Sequence, residues 1–96
     1  MILHNDAVDA ILTRRSIRSY QAKQISEDAL ETILTAGQYA PSGMNQQSAK
    51  AIVVQSKERM QQLVQLAKAA EQVDHNPFYD APTVILVFAD ATQLAP

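Results

Sequence analysis

Hydrophobic residues recur every three or four positions in three stretches of the chain, a spacing that predicts three amphipathic helices. The first stretch has a stripe made of Ala7, Val8, Ile11 and Leu12. Asn5 or Asp6 can accept a hydrogen bond from an orphan backbone N–H at its start. We therefore expect this helix to run from about Asp6 to about Thr13.

The second and third helices each have a serine that can cap their first turn. Ser26 is followed by acidic residues, which suit the positive end of the helix dipole. That helix should end near Tyr39 or Ala40, because Pro41 disfavours helical backbone in the residue before it. Ser56 begins the third helix, whose inner face carries Met60, Leu63, Val64, Ala67 and Ala70.

Two apolar runs rich in β-branched residues predict strands. The first is "AIVVQ", residues 51–55, and the second is "TVILVFA", residues 83–89. The continuous apolar character of the second run predicts a central strand covered on both faces. The sequence leaves the relative direction of the two strands open.

The order helix, helix, strand, helix, strand predicts an α+β (α/β layered) fold, with residues 1–96 as a single domain. An isolated pair of strands is marginal in water, and the second run needs neighbours on both sides. We therefore expect that further sequence, or a partner chain, supplies the missing strands.

Composition excludes several classes of function. Hydrophobic residues make up 47% of the chain and charged residues 19%, as in ordinary soluble globular proteins. A net charge of −2 argues against a surface built to bind nucleic acid. The absence of cysteine excludes disulfides, thiolate metal sites and cysteine nucleophiles. No secretory leader and no membrane-spanning run of about 18 apolar residues is present, so we expect a cytoplasmic protein.

The stretch "RRSIRSY", residues 14–20, holds three of the four arginines of the chain. Guanidinium groups match phosphate oxygens, so two arginines and Ser16 converging on one point would form a phosphate site. Cations after a helix can instead only offset its dipole and point into water, and the spacing leaves both interpretations open. A nucleic-acid surface is disfavoured, because the remaining cations are scattered and only Tyr20 is near.

The stretch "APSGMNQQSAK", residues 40–50, predicts a loop between the second helix and the first strand, where binding sites commonly lie. Its amides carry both donors and acceptors, which suit a planar heterocycle such as a flavin. The same residue types also make ordinary turns. Ser42 lacks the surroundings of a hydrolytic nucleophile, and His4 and His75 have no spacing that indicates a catalytic base.

"RRSIRSY" and "APSGMNQQ", with a capped helix between them and "AIVV" after, together resemble the N-terminal part of the FMN-dependent nitroreductase family. The resemblance covers residues from about 7 to 90. It implies a mixed sheet flanked by helices, incomplete in this chain, with FMN as the cofactor and NAD(P)H as the electron donor. It also implies a homodimer with FMN at the subunit interface and no nucleic-acid or membrane partner.

The resemblance assigns cofactor-binding roles to both stretches. The phosphate and ribityl chain of FMN would be held by Arg14, Arg15, Ser16 and Arg18. From the neighbouring subunit, the flavin ring or ribityl would be contacted by Ser42, Gly43, Asn45 and Gln47. No catalytic side chain and no metal ligand is implied, because the flavin itself carries the chemistry.

The reaction implied is hydride transfer from NAD(P)H through flavin N5 to a nitroaromatic or quinone-type acceptor, by a ping-pong mechanism. Two alternatives stay open. One is a noncatalytic phosphate-binding or interaction module, in which the arginines bind an anionic partner and the loop is only a turn. The other is a flavin enzyme of the same superfamily with different chemistry, such as dehalogenation.

Overall fold

The computed structural model describes residues 1–40 and 49–89. Five elements follow one another in these two segments: α1 (Asp6–Thr13), α2 (Glu27–Gln38), β1 (Ala49–Val54), α3 (Lys57–Glu71) and β2 (Val84–Ala89). The predicted order of helices and strands is confirmed. Pro41, expected to stop the second helix, lies outside the described residues, and α2 ends at Gln38 with Tyr39 as its C-cap.

The three helices begin where short polar side chains cap them. The side chains of Asn5, Ser26 and Ser56 accept hydrogen bonds from backbone N–H groups of the first turn, at 2.9, 3.1 and 3.1 Å. Each cap satisfies a donor that has no partner within the helix, so the helix start is determined locally. The alternative cap Asp6 is instead the first residue of α1.

The two strands form an antiparallel pair, which decides the direction that the sequence left open. Val54 is opposite Val84, and Ala49 is opposite Ala89. Strand β1 starts two residues earlier than expected and excludes Gln55, whose side chain instead donates to the Thr83 hydroxyl at 3.0 Å. Helices together with this small sheet confirm the α+β class.

Strand β2 differs from the expected central strand covered on both faces. Val84 is buried, but Val87 is 70% and Phe88 is 52% exposed. Within the described residues β2 pairs with β1 alone, so no second neighbour covers its other edge. The accessible surface of the chain is 8420 Å², against about 5,500 Å² for a compact monomer of this mass.

The helices also keep apolar side chains in contact with solvent. In α1, Ile11 is 70% and Leu12 is 50% exposed, and in α2 Ile33 is 50% exposed. Helix α3 turns Met60 and Val64 partly inward. In stable proteins, apolar stripes of this kind are usually covered by another surface.

Candidate functional site

The basic stretch lies directly after α1, in irregular backbone. Arg14 is the C-cap of α1, and its backbone N–H donates to the Ala10 carbonyl at 3.2 Å. Residues 14–20 are all exposed. The hydroxyl of Tyr20 donates to the Ile17 carbonyl at 2.7 Å, within the same segment. The charged side chains are therefore presented to solvent from a short, locally braced segment.

The structure separates the two adjacent arginines. The guanidinium of Arg14 donates to the Ser16 hydroxyl at 3.2 Å, so these two predicted site residues are brought together. The guanidinium of Arg15 turns back and donates to the carbonyls of Leu12 and Arg14, at 3.4 and 2.8 Å. Arg15 therefore bonds to carbonyls at the end of α1, where its charge also offsets the helix dipole, and it does not simply point into water.

Ser16 and Arg18 line an open cleft of about 450 Å³ between Ser16–Tyr20 and Pro77–Val84, which we call the basic cleft. Phe78 and Thr83 are on its far wall. A guanidinium and a hydroxyl at one wall are donors for an anionic oxygen, and the neighbouring rings offer an apolar surface. This combination fits the phosphate and ribityl end of FMN.

The far wall is shaped by a turn that the sequence analysis did not select. The Asn76 side chain accepts from the Phe78 N–H at 2.8 Å and donates to the Asp80 carboxylate at 2.9 Å. Tyr79 and Asp80 both have left-handed backbone, with φ of 53° and 60°. Such conformations persist in bulky residues only where surrounding contacts impose them.

The sequence alone did not indicate the residues of this wall, because they lie near Arg18 in space but far from it along the chain. The dipeptide Asn76-Pro77, with Asp80 three residues later, is a turn signal that could have indicated the turn at residues 76–80. It carries no information about which other segment packs against that turn. Phe78 and Thr83 become candidate residues only because the fold brings them opposite Ser16 and Arg18.

A larger depression of about 560 Å³ lies beside α3, and its mainly apolar lining also includes Gln24, Gln55 and the cation Lys57. Arg14, Arg15 and Arg18 are not among the residues that line it. Volume alone does not define a binding site, and the basic cleft holds the guanidinium that an anion requires. We therefore assign the candidate site to the smaller basic cleft.

Residues 41–48 of the amide-rich loop lie outside the described residues, whereas Ala49 and Lys50, expected in the same loop, begin β1. Residues 41–48 include the four predicted contacts Ser42, Gly43, Asn45 and Gln47. Their roles remain predictions. No helix within residues 1–40 and 49–89 is both long and apolar enough to cross a bilayer.

Comparison with known proteins identifies the class. The model of the nitroreductase family matches residues 11–95. The match includes both stretches that carry the resemblance and both walls of the basic cleft. The chain belongs to the nitroreductase family.

Individual relatives agree with this assignment. The chain is 35% identical over 75 residues to the FMN reductase [NAD(P)H] of Bacillus subtilis, a match that covers 78% of the chain. A nitroreductase with bound FMN from Bacteroides fragilis superposes with a TM-score of 0.83 at 31% identity, over 92% of the chain. A nitroreductase with bound FMN from Desulfitobacterium hafniense gives a TM-score of 0.78 at 34% identity, over 98%.

The chain spans only part of these proteins. It covers 30% of the Bacillus subtilis protein, and 54% and 57% of the two solved structures. Within residues 1–40 and 49–89, one edge of β2 has no paired strand and several apolar helix side chains are exposed.

Proposed function

We propose that this chain forms the phosphate-binding part of an FMN-dependent, NAD(P)H-using oxidoreductase. The observation that carries the proposal is the basic cleft, in which Ser16 and Arg18 face an aromatic wall. Two similar structures hold FMN, and one similar curated protein is an FMN reductase, which supports FMN as the ligand. Bound FMN would supply hydride transfer at its N5 atom.

The residues of this chain would bind and orient the cofactor. Arg18 would pair with the phosphate, and the Ser16 hydroxyl, already bonded to Arg14, would donate to a neighbouring oxygen. Phe78 would pack against the C–H groups of the ribityl chain. The amides of residues 42–47 would contact the ring from a second subunit, as the resemblance implies.

The proposal includes a homodimer with FMN at its interface and a nitroaromatic or quinone-type acceptor that reacts in a ping-pong cycle. The dimer is supported by apolar side chains such as Ile11 and Val87, each 70% exposed, which a second subunit could cover. The cytoplasmic location belongs to the same proposal and is supported by the cysteine-free sequence.

The test is flavin binding followed by turnover. The purified chain is titrated with FMN while flavin fluorescence and melting temperature are recorded, and Arg18→Glu serves as the matched variant. We expect saturable binding and a rise in melting temperature that Arg18→Glu abolishes. NADH oxidation with a quinone acceptor is then compared with free FMN at equal concentration.

Each outcome has a separate meaning. A wild-type chain whose fluorescence and melting temperature do not respond to FMN contradicts the proposal. Binding of FMN without turnover above free FMN would favour the noncatalytic phosphate-binding module. A parallel double-reciprocal pattern with varied NADH and acceptor supports the ping-pong cycle, and an intersecting pattern contradicts it.

A further inference from the structure

A hydrogen-bonded cluster behind the basic cleft joins the arginine-bearing segment to the sheet. The side chain of Gln24 donates from Nε2 to the Pro82 carbonyl at 2.9 Å. Its Oε1 accepts a hydrogen bond from the Thr83 hydroxyl. The Thr83 hydroxyl in turn accepts from Gln55 Nε2 at 3.0 Å. We call Gln24, Pro82 and Thr83 the Gln24 clamp.

The clamp connects the two walls of the basic cleft. Gln24 follows Ser16–Tyr20 by only a few residues, whereas Thr83 lines the far wall and immediately precedes β2. Within the described residues, the side-chain hydrogen bonds that join segment 14–25 to the start of β2 all involve Gln24. Gln24 is therefore the side chain through which these hydrogen bonds connect the arginine-bearing segment to the far wall.

Both polar atoms of the Gln24 side-chain amide, Nε2 and Oε1, form hydrogen bonds. Because Thr83 donates to Gln24 and accepts from Gln55, its hydroxyl proton has one consistent position. Hydrogen bonds arranged in a chain polarise one another, so loss of one member weakens the others. The clamp is thus a directional link rather than a nonspecific contact.

We infer that Gln24 is a positioning residue that holds Ser16 and Arg18 at the correct distance from the far wall, and so determines affinity for the phosphate end of the flavin. The inference rests on the proposed function for the identity of the ligand. Gln24 itself does not line the basic cleft, and it acts through the segment that carries Arg18.

The first test needs no ligand. Trypsin cleavage after Arg18 is compared in wild type, Thr83→Val and Thr83→Ser, with cleavage after Lys68 in α3 as the internal reference. Thr83→Val removes the hydroxyl but leaves the cleaved sequence unchanged, and Thr83→Ser keeps the hydroxyl. We expect Thr83→Val to raise the rate of cleavage after Arg18 by roughly fivefold relative to cleavage after Lys68, because the segment opens more often. Thr83→Ser should return this relative rate to the wild-type value.

The second test separates positioning from general stability. FMN and riboflavin, which lacks the phosphate, are titrated into wild type and Gln24→Ala, because Gln24 does not line the basic cleft. We expect FMN affinity to fall about tenfold in Gln24→Ala, and riboflavin affinity to stay within about twofold.

The outcomes that overturn the inference are distinct. Equal Arg18 cleavage in Thr83→Val and wild type would show that the clamp does not restrain the segment. An equal loss of FMN and riboflavin affinity would show a general effect on folding. If the wild-type chain binds neither flavin, the proposed function fails, and the cleavage rates alone decide whether the clamp exists.

Discussion

The guanidinium of Arg15 donates a hydrogen bond of 2.8 Å to the backbone carbonyl of Arg14, its immediate neighbour. The same group donates to the Leu12 carbonyl at 3.4 Å, so Arg15 supports the end of α1. The Arg14 guanidinium points instead to the Ser16 hydroxyl at the basic cleft. Adjacent residues of the same type therefore have different surroundings.

Arg18 lines the basic cleft whereas Arg15 bonds to the end of α1, so substitutions of these two arginines should separate binding from stability. Arg18→Glu should lower FMN affinity at least tenfold, because a carboxylate would face the phosphate. Arg15→Gln should leave FMN affinity within about twofold and lower the free energy of unfolding by about 0.5 kcal/mol. Fluorescence titration and urea denaturation measure the two quantities. Equal losses of FMN affinity in both variants would contradict the assignment.

A second prediction concerns the amide-rich loop. Asn45→Ala should reduce FMN affinity about tenfold, because a hydrogen bond to the bound flavin is lost. The matched control is Gln46→Ala, since Gln46 has no assigned contact with the cofactor. The free energy of unfolding of both variants should be within about 0.5 kcal/mol of the wild-type value. If Gln46→Ala weakens FMN as strongly as Asn45→Ala, the assignment of individual loop residues is wrong.

The third prediction tests the left-handed turn in the far wall. Asp80→Ala should lower the free energy of unfolding by about 1–2 kcal/mol, because alanine disfavours positive φ and the bond to Asn76 is lost. Asp80→Asn should be nearly neutral, since asparagine tolerates this conformation and keeps an acceptor for Asn76. Urea denaturation of both variants measures this. Similar stabilities of the two variants would argue against the turn geometry.

The fourth prediction uses the end of α3. Gln72 has left-handed backbone, with φ 57° and ψ 47°, a position where glycine is usually favoured. Gln72→Gly should therefore raise the free energy of unfolding by about 0.5–1 kcal/mol. Gln62→Gly, in the interior of the same helix, should lower it by about 1 kcal/mol. Melting curves that move in the same direction for both variants would contradict the assigned end of α3.

Local signals in the sequence were sufficient for the elements. The caps Asn5, Ser26 and Ser56 predicted three helix starts because a capping side chain bonds to its own first turn, and no distant residue is required. The strand boundaries were less accurate. Gln55 was expected to end the first strand, but its side chain bonds to Thr83.

The residues of the candidate site were likewise only partly predictable from the sequence. The sequence pattern singled out Ser16 and Arg18, and the structure places both at the basic cleft. The sequence pattern did not distinguish Arg15 from the other arginines of the stretch, because its role depends on which backbone carbonyls its guanidinium reaches. The four loop residues stay predictions.

The sequence by itself determined where the helices begin, which segments are strands, the density of positive charge after α1 and the likeness to nitroreductases. These properties depend on neighbours within a few positions along the chain. Only the tertiary structure decided that β1 and β2 run antiparallel, that the turn at residues 76–80 faces Arg18, and that Gln24 bonds to Thr83. Such contacts join residues thirty or more positions apart, so they follow from how the elements pack and not from local preference.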